Sequence, residues 1–324
     1  MHKIGILGAA GIAPQAIIEP ARRRDDTEIH AVSSRRPDAA QTYAEKHLIP
    51  NAHQSYEAML ADPQIDIVYN ALPPSDHAEW SIKALEAGKH VLCEKPFALN
   101  VAEARDMVAA SQRTGLRLVE AFHDRYHPVF LHLLERVMSG RLGTIRRITA
   151  EFSAEIPYSP DSLRHAPELG GGALMDLGCY PVHWVRSLTG EEFEVMAASG
   201  TRNPLGVDES ITATLRFPSG IFVDFSTAMS KGLPFKALLA IDAEHGTIEV
   251  ENPVLAHKGH SIRERIDGGF EVFTLAGGST YDYQLAAMVA AVESGQPALT
   301  EGHDPIGNMA AIGAIYEKAG FKPR

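Results

Sequence analysis

Lys3-Ile4-Gly5-Ile6-Leu7-Gly8-Ala9-Ala10-Gly11-Ile12-Ala13 reads as a short buried strand that breaks at once into a glycine-rich turn and a helix. Such a turn needs a tight bend at Gly8 and close approach of bare backbone to a pyrophosphate at Ala10 and Gly11. It also needs a small residue at Ala13, where helix meets strand. An apolar helical pattern starts near Gly11 and Ile12, and its first N–H groups and positive dipole end suit phosphate. Ala10 stands where the dinucleotide fingerprint has its second glycine. Pro14 falls in the first helical turn, where its missing N–H costs little.

The next strand, Glu28 to Ser34, decides which dinucleotide is expected. An acidic residue about 20 positions beyond the glycines holds the ribose hydroxyls of NAD. This chain has Ser33-Ser34-Arg35-Arg36 instead. No carboxylate stands there to repel a 2′-phosphate, and Ser34 with Arg35 can bind one through charge-assisted hydrogen bonds. NADP is therefore the preferred cofactor, with NAD possible.

Strand and helix then alternate, which means βαβ units and a parallel sheet. Helices are expected over 37–47 and 56–60, and a strongly apolar strand over Ile65 to Ala71. That strand runs into Asn70-Ala71-Leu72-Pro73-Pro74, after which Ser75 caps a helix with His77 in its first turn. The following strand is Gly88-Lys89-His90-Val91-Leu92-Cys93, and it ends abruptly in Glu94-Lys95-Pro96. A buried strand thus delivers an acid and a base to the sheet edge where open α/β sheets bind ligands. Asn70, Leu72, Pro73, His77, Glu94 and Lys95 join Gly8, Ala10, Gly11, Ile12, Ala13, Ser33, Ser34 and Arg35 as candidate cofactor contacts.

Asn100 caps a helix ending at Gly115, and Arg117 to Phe122 closes a Rossmann domain over residues 1–122. His123-Asp124-Arg125-Tyr126-His127 forms a dense polar junction. From Thr144 the period changes, with alternating strands expected at Thr144 to Glu155, Glu192 to Gly200, Ser210 to Phe217, Ile221 to Met229, Phe235 to Asp242 and Thr247 to Glu251, and Pro218-Ser219-Gly220 as a hairpin turn. Residues 123–324 therefore read as an α+β domain on an open, largely antiparallel sheet with helices on one face. The fold class is α/β overall. One helix interrupts the sheet after Gly170-Gly171-Gly172, and there Asp176, Tyr180 and His183 are spaced four and three apart on one face. An acid, a phenol and an imidazole on one stripe suit proton transfer at a carbonyl.

A formal net charge of -11 over 324 residues argues against nucleic acid and anionic membrane as partners. Cys93 and Cys179 are the only cysteines, and they fit neither a disulfide framework nor a metal site. A cytoplasmic location is expected. No apolar run approaches the roughly 18 to 20 residues of a membrane span.

Taken together, the fingerprint, the Asn70 to Pro73 turn, Glu94-Lys95-Pro96 and the Gly170 to Tyr180 helix resemble the glucose-fructose oxidoreductase / inositol dehydrogenase / rhizopine catabolism family over nearly the whole length. The resemblance implies nicotinamide chemistry on sugars, polyols or cyclic diols, and a homodimer or homotetramer assembled through the C-terminal sheet. It implies Lys95 as catalytic lysine, Glu94 as its neighbour and Asp176 as a substrate-contacting acid. Tyr180 stands where inositol-dehydrogenase-like members have histidine, which is similar to the branch of dimeric dihydrodiol dehydrogenase and xylose dehydrogenase. Catalytic roles are expected for Lys95, Tyr180 and Asp176. Arg125, Arg164 and His183 are further candidates for substrate contact, and no metal is expected. Two other readings of the same fold are a non-catalytic regulator that binds NADP and a sugar, and a glycosidase that uses bound NAD transiently.

Overall fold

The computed structural model describes residues 1–322, so the last two residues of the expected second domain lie outside it. The chain divides into two compact units. The first comprises Met1–Phe122 with Tyr281–Ile306; the second comprises His123–Thr280 with the segment from Gly307 on.

In the first unit the order is β1 (His2–Leu7), α1 (Glu19–Arg22), β2 (Thr27–Ser33), α2 (Pro37–His47), β3 (Asn51–His53), α3 (Tyr56–Leu60), β4 (Ile67–Asn70), α4 (Pro74–Glu86), β5 (His90–Cys93), α5 (Val101–Thr114) and β6 (Leu118–Glu120). All six strands are parallel, in the order β3-β2-β1-β4-β5-β6. The Ile, Val and Leu residues of β1, β4 and β5 are fully buried, as a sheet covered on both faces requires. The register brings Leu7 level with Ser33 and Asn70, Asn70 with Cys93, and Cys93 with Glu120. Every strand of the central sheet therefore ends on one line. The strand order reverses between β1 and β4, and that is the crevice where such sheets bind ligands.

The expected helix near Gly11 begins at Pro14, as a wide π-helical turn over Pro14–Ile18 that runs into α1. Pro20 has no N–H for the carbonyl four residues before it, and this opens the preceding turn. At α4 the cap is Pro73; Ser75 lies inside the first turn rather than at its start. Asn100 does cap α5, its side chain accepting from Ala102 and Glu103, and Gly115 closes the helix with φ +71°.

The second unit carries α6 (Pro128–Met138), β7 (Ile145–Ser153), α7 (Cys179–Thr189), β8 (Glu194–Arg202), β9 (Asp208–Arg216), β10 (Phe222–Ala228), β11 (Lys236–Ala243), β12 (Gly246–Glu251), β13 (Ser261–Ile266) and β14 (Gly269–Phe273). These strands form one sheet in the order β14-β13-β12-β11-β7-β10-β9-β8. It is antiparallel except where β7 pairs β10. In the central strands residues alternate between faces, with Ile148, Ala150, Val223, Phe225, Leu239 and Ile241 buried on one of them. Two strands, β13 and β14, join the sheet beyond those expected. Their hairpin turns on Asp267 and Gly268, both at positive φ, in the manner of an Asp-Gly turn.

Helices α8 (Thr280–Ser294) and α9 (His303–Lys318) follow. The expected contiguous domain over 123–324 is interrupted, because Tyr281–Ile306 belongs to the first unit. The reason lies at β6, the edge strand of the parallel sheet, whose outer backbone groups need partners. Both backbone groups of Glu120 find partners on Thr300, its N–H donating to the Thr300 carbonyl at 3.0 Å and its carbonyl accepting the Thr300 side-chain hydroxyl at 2.7 Å. Leu118 N–H donates to the Glu301 carboxylate at 3.0 Å. Among the described residues no helix is long and apolar enough to cross a membrane.

Candidate active site

At the end of β1, Gly8 adopts φ +96°. A side chain there would be strained and would press on Leu72 and the Ala71 carbonyl. Its N–H donates to the Ser33 carbonyl at 2.9 Å, which locks the turn against β2. Ala10 is held from outside the turn, its carbonyl accepting the Tyr43 hydroxyl at 2.9 Å. Nothing lies within 4 Å of where a Gly11 Cβ would stand, and Ile12 beside it is half-exposed. Ala13 is fully buried where the helix meets the strand.

Beyond β2 the expected residues separate. The buried Ser33 hydroxyl contacts the Met59 sulfur at 3.4 Å, so that side chain faces the core and not the edge. Ser34 is half-exposed and accepts the Arg36 N–H at 3.4 Å. Arg35 and Arg36 are exposed, and neither guanidinium has an ion-pair partner among the described residues. Two free cations beside an open glycine turn, with no carboxylate at the ribose position, fit a dinucleotide carrying a 2′-phosphate.

Asn70 is buried and spent on structure. Its amide donates to the His77 carbonyl (3.3 Å) and the Ser81 hydroxyl (3.0 Å), while its oxygen accepts Leu72 N–H at 3.3 Å. It therefore shapes the 71–73 loop and leaves Leu72 and Pro73 to line the edge. His77 is likewise turned inward, with Nε2 2.8 Å from the Leu72 carbonyl and Nδ1 2.9 Å from the Pro96 carbonyl. Burial holds its imidazole below the ordinary histidine range. A neutral ring has one N–H for these two carbonyls, so His77 ties together the loops after β4 and β5.

The Lys95–Pro96 peptide is cis. Glu94, half-buried, takes the Tyr69 hydroxyl at 2.5 Å and the Lys95 N–H at 3.3 Å. Burial, reinforced by this carboxylate, pushes the Tyr69 phenol well above its ordinary range, so it stays a donor. Behind the loop, the fully buried Glu120 accepts Phe97 N–H at 2.9 Å. Lys95 is thus half-exposed on a segment pinned at Glu94, Pro96 and Phe97. Tyr69 and Glu120 hold this segment through contacts that span 25 and 23 residues of sequence, a range beyond local motifs.

In the second unit, Asp176 sits in another π-helical turn, Leu174–Gly178, which leads into α7. Pro181 lacks the N–H that the Leu177 carbonyl would receive, as Pro20 does at the first such turn. The glycines upstream have a packing cause. A Cβ on Gly171 would lie 2.7 Å from the Arg164 carbonyl group, and Gly172 N–H donates to that carbonyl at 2.9 Å. Arg164 is brought against Asp176 in this way, Nε to Oδ2 at 2.8 Å.

The stripe of Asp176, Tyr180 and His183 does not converge on one point. Tyr180 is buried, with its hydroxyl 3.0 Å from His123 Nε2 and its ring edge-on to Phe152. His183 is fully buried, with Nε2 3.3 Å from the Ser187 hydroxyl, so it offers no surface to a substrate. Its ring acts on Asp124, which also accepts the Trp184 indole N–H at 2.6 Å. Burial raises the Asp124 carboxyl to about 6, against the opposing pull of His183 and Trp184. Arg125 is half-buried, stacked 5.2 Å from the Phe130 ring. Among the described residues no group of three or more His, Cys, Asp or Glu side chains could hold a metal ion.

Residues 2–122 match the family described as "Oxidoreductase family, NAD-binding Rossmann fold", and residues 130–249 match the "GFO/IDH/MocA C-terminal domain". D-xylose 1-dehydrogenase (NADP(+)) 2 of Haloferax volcanii is 33% identical over 97% of this chain and 96% of its own. Trans-1,2-dihydrobenzene-1,2-diol dehydrogenase of Xenopus tropicalis is 34% identical over 69% of this chain and 67% of its own. Among solved structures, the 3-ketoreductase KijD10 of Actinomadura kijaniata in complex with NADP and TDP-benzene superposes with a TM-score of 0.90. It is 26% identical, and the match covers 98% of this chain and 97% of that one.

Proposed function

Because the chain belongs to the Gfo/Idh/MocA oxidoreductase family, we propose that it moves hydride between NADP and a CH–OH group of a sugar, polyol or cyclic diol. The observation that carries this reading is the level line of strand ends through Leu7, Asn70 and Cys93. It sets Lys95 on the edge where Gly8 turns. Gly8, Ala10, Gly11, Ile12, Ala13, Ser34, Arg35, Leu72 and Pro73 would hold the dinucleotide, with Asn70 and His77 shaping the loops behind. The bound nicotinamide supplies the hydride acceptor or donor.

The protein's own groups manage the proton and the developing charge. Lys95 polarises the reacting oxygen as it becomes negative, a preorganised electrostatic contribution. Tyr180 exchanges a proton with that oxygen. A free phenol near pKa 10 is a poor base at neutral pH, and a neighbouring cation would favour its ionised form. Asp176, steadied by Arg164, orients a substrate hydroxyl, and Arg125 contacts polar groups farther out. The exposed face of the second unit's sheet serves self-association.

Absorbance at 340 nm with NADP⁺ or NAD⁺ and a panel of D-xylose, D-glucose and trans-cyclohexanediol tests this reading. NADPH formation with at least one of them is expected. Binding of cofactor and sugar with no absorbance change would make the protein a sensor; glycoside cleavage without net cofactor change would make it a glycosidase.

A further inference from the structure

The Tyr180 hydroxyl opens a row of hydrogen bonds that has a single direction. Its oxygen is 3.0 Å from His123 Nε2, His123 Nδ1 is 2.8 Å from Thr280 Oγ1, and Thr280 Oγ1 is 3.2 Å from His257 Nδ1. The outer end sets the polarity. Thr280 also sends its backbone N–H to His257 Nδ1, at 3.3 Å, so that nitrogen is an acceptor and His257 carries its proton on Nε2. The Thr280 hydroxyl then donates outward to the same nitrogen and accepts from His123 Nδ1–H. His123 Nε2 is left bare, and it accepts the Tyr180 O–H. Three successive donors point from Tyr180 toward His257.

Tyr180, His123 and Thr280 are buried, whereas His257 is half-exposed. We propose that this row conducts the reaction's proton between Tyr180 and solvent, with His257 as its outlet. The role rests on the reading of Tyr180 as the acid–base group. In the oxidative direction the substrate O–H proton passes to the Tyr180 oxygen as the Tyr180 proton moves to His123 Nε2. The His123 Nδ1 proton moves to Thr280 Oγ1, the Thr280 proton to His257 Nδ1, and the His257 Nε2 proton to water. The carbon's hydride leaves with its electron pair to the nicotinamide oxidant of that reading, so one hydride and one proton leave per turnover.

The surroundings of the outlet favour a passing charge. His127 is held neutral, its imidazole lowered to about 4 by burial and by His260 and His257. His260 is neutral by its bonds, Nε2 accepting Leu275 N–H at 3.0 Å and Nδ1 donating to the Ala256 carbonyl at 2.8 Å. The adjacent Lys258 is exposed to solvent screening.

The test uses the full chain with NADP⁺ and a panel substrate. His257→Ala is expected to lower kcat at least ~10-fold, the scale of a lost proton-transfer group. KM and NADPH affinity should be unchanged, and imidazole in the buffer should restore turnover. Wild-type kcat, or a loss that imidazole does not touch, would overturn the relay. Tyr180→Phe separates the two levels. Full turnover in that variant defeats the acid–base reading itself, whereas an inactive Tyr180→Phe beside a normal His257→Ala defeats the relay alone. Ring ¹⁵N spectra of the substrate-free protein give an independent readout. They should show His123 as the Nδ1–H tautomer and His257 as the Nε2–H tautomer, and the opposite pair would contradict the row.

Discussion

Arg35 stands just beyond the end of β2, with its side chain exposed and without an ion pair among the described residues, which leaves the guanidinium to choose a ligand. A hydrogen bond to a charged group is worth about 1.5–3 kcal/mol, which is roughly 10- to 100-fold in affinity. Arg35→Ala should therefore weaken NADPH at least ~10-fold and leave NADH nearly unchanged, as read by nucleotide fluorescence titration. Equal weakening of both would remove Arg35 from the 2′-phosphate site. At this scale the sequence was readable where the cause is local: Gly8 needs a positive φ, Ala13 needs to be small, and Asn100 caps its own helix. It was not readable where the partner is remote. Ser33 turns to Met59, Asn70 to Ser81, and His77 to Pro96, so three expected cofactor contacts are supports for the edge. His123 was visible only as part of a polar run, because its partner Tyr180 lies 57 residues away.

The sheet of the second unit presents Thr149, Ser199, Thr212, Thr214 and Ser226 on its uncovered face, opposite the buried Ile148, Ala213 and Phe225. Among the Arg147–Asp224 and Lys236–Glu151 ion pairs of the same face, these short hydroxyl side chains leave room for a second copy to lie against the sheet. Ser226 pairs across β9 and β7 with Thr212 and Glu151, near the middle of that surface. Ser226→Arg should split a dimer into monomers by light scattering while NADPH binding persists, because a long charged side chain would stand out of the contact and have to be desolvated there. An unchanged dimer would place assembly elsewhere, and a monomeric parent protein would overturn self-association. Period-2 alternation and the Pro218-Ser219-Gly220 turn made β7 to β12 legible from sequence. The charged alternation of Ser261 to Ile266 hid β13. The two π-helical turns were also missed, since each follows from a proline in the next turn rather than from the residues inside it.

For the molecule as a whole, the end of the first domain at Phe122 is read from its last expected strand, and the change of period follows only from Thr144. The return of Tyr281–Ile306 to the first unit has no such signal, because it answers the hydrogen-bonding needs of β6, some 180 residues earlier. The proposed function gives Lys95 the developing charge on the substrate oxygen and Tyr180 its proton. The most direct test of it is Lys95→Met, with kcat and NADPH affinity measured on the same preparation. The account predicts a fall in kcat of at least ~100-fold, within the range of electrostatic and acid–base contributions, with NADPH bound as tightly as before. Near-normal turnover would contradict it, and so would a loss of activity explained by lost NADPH binding.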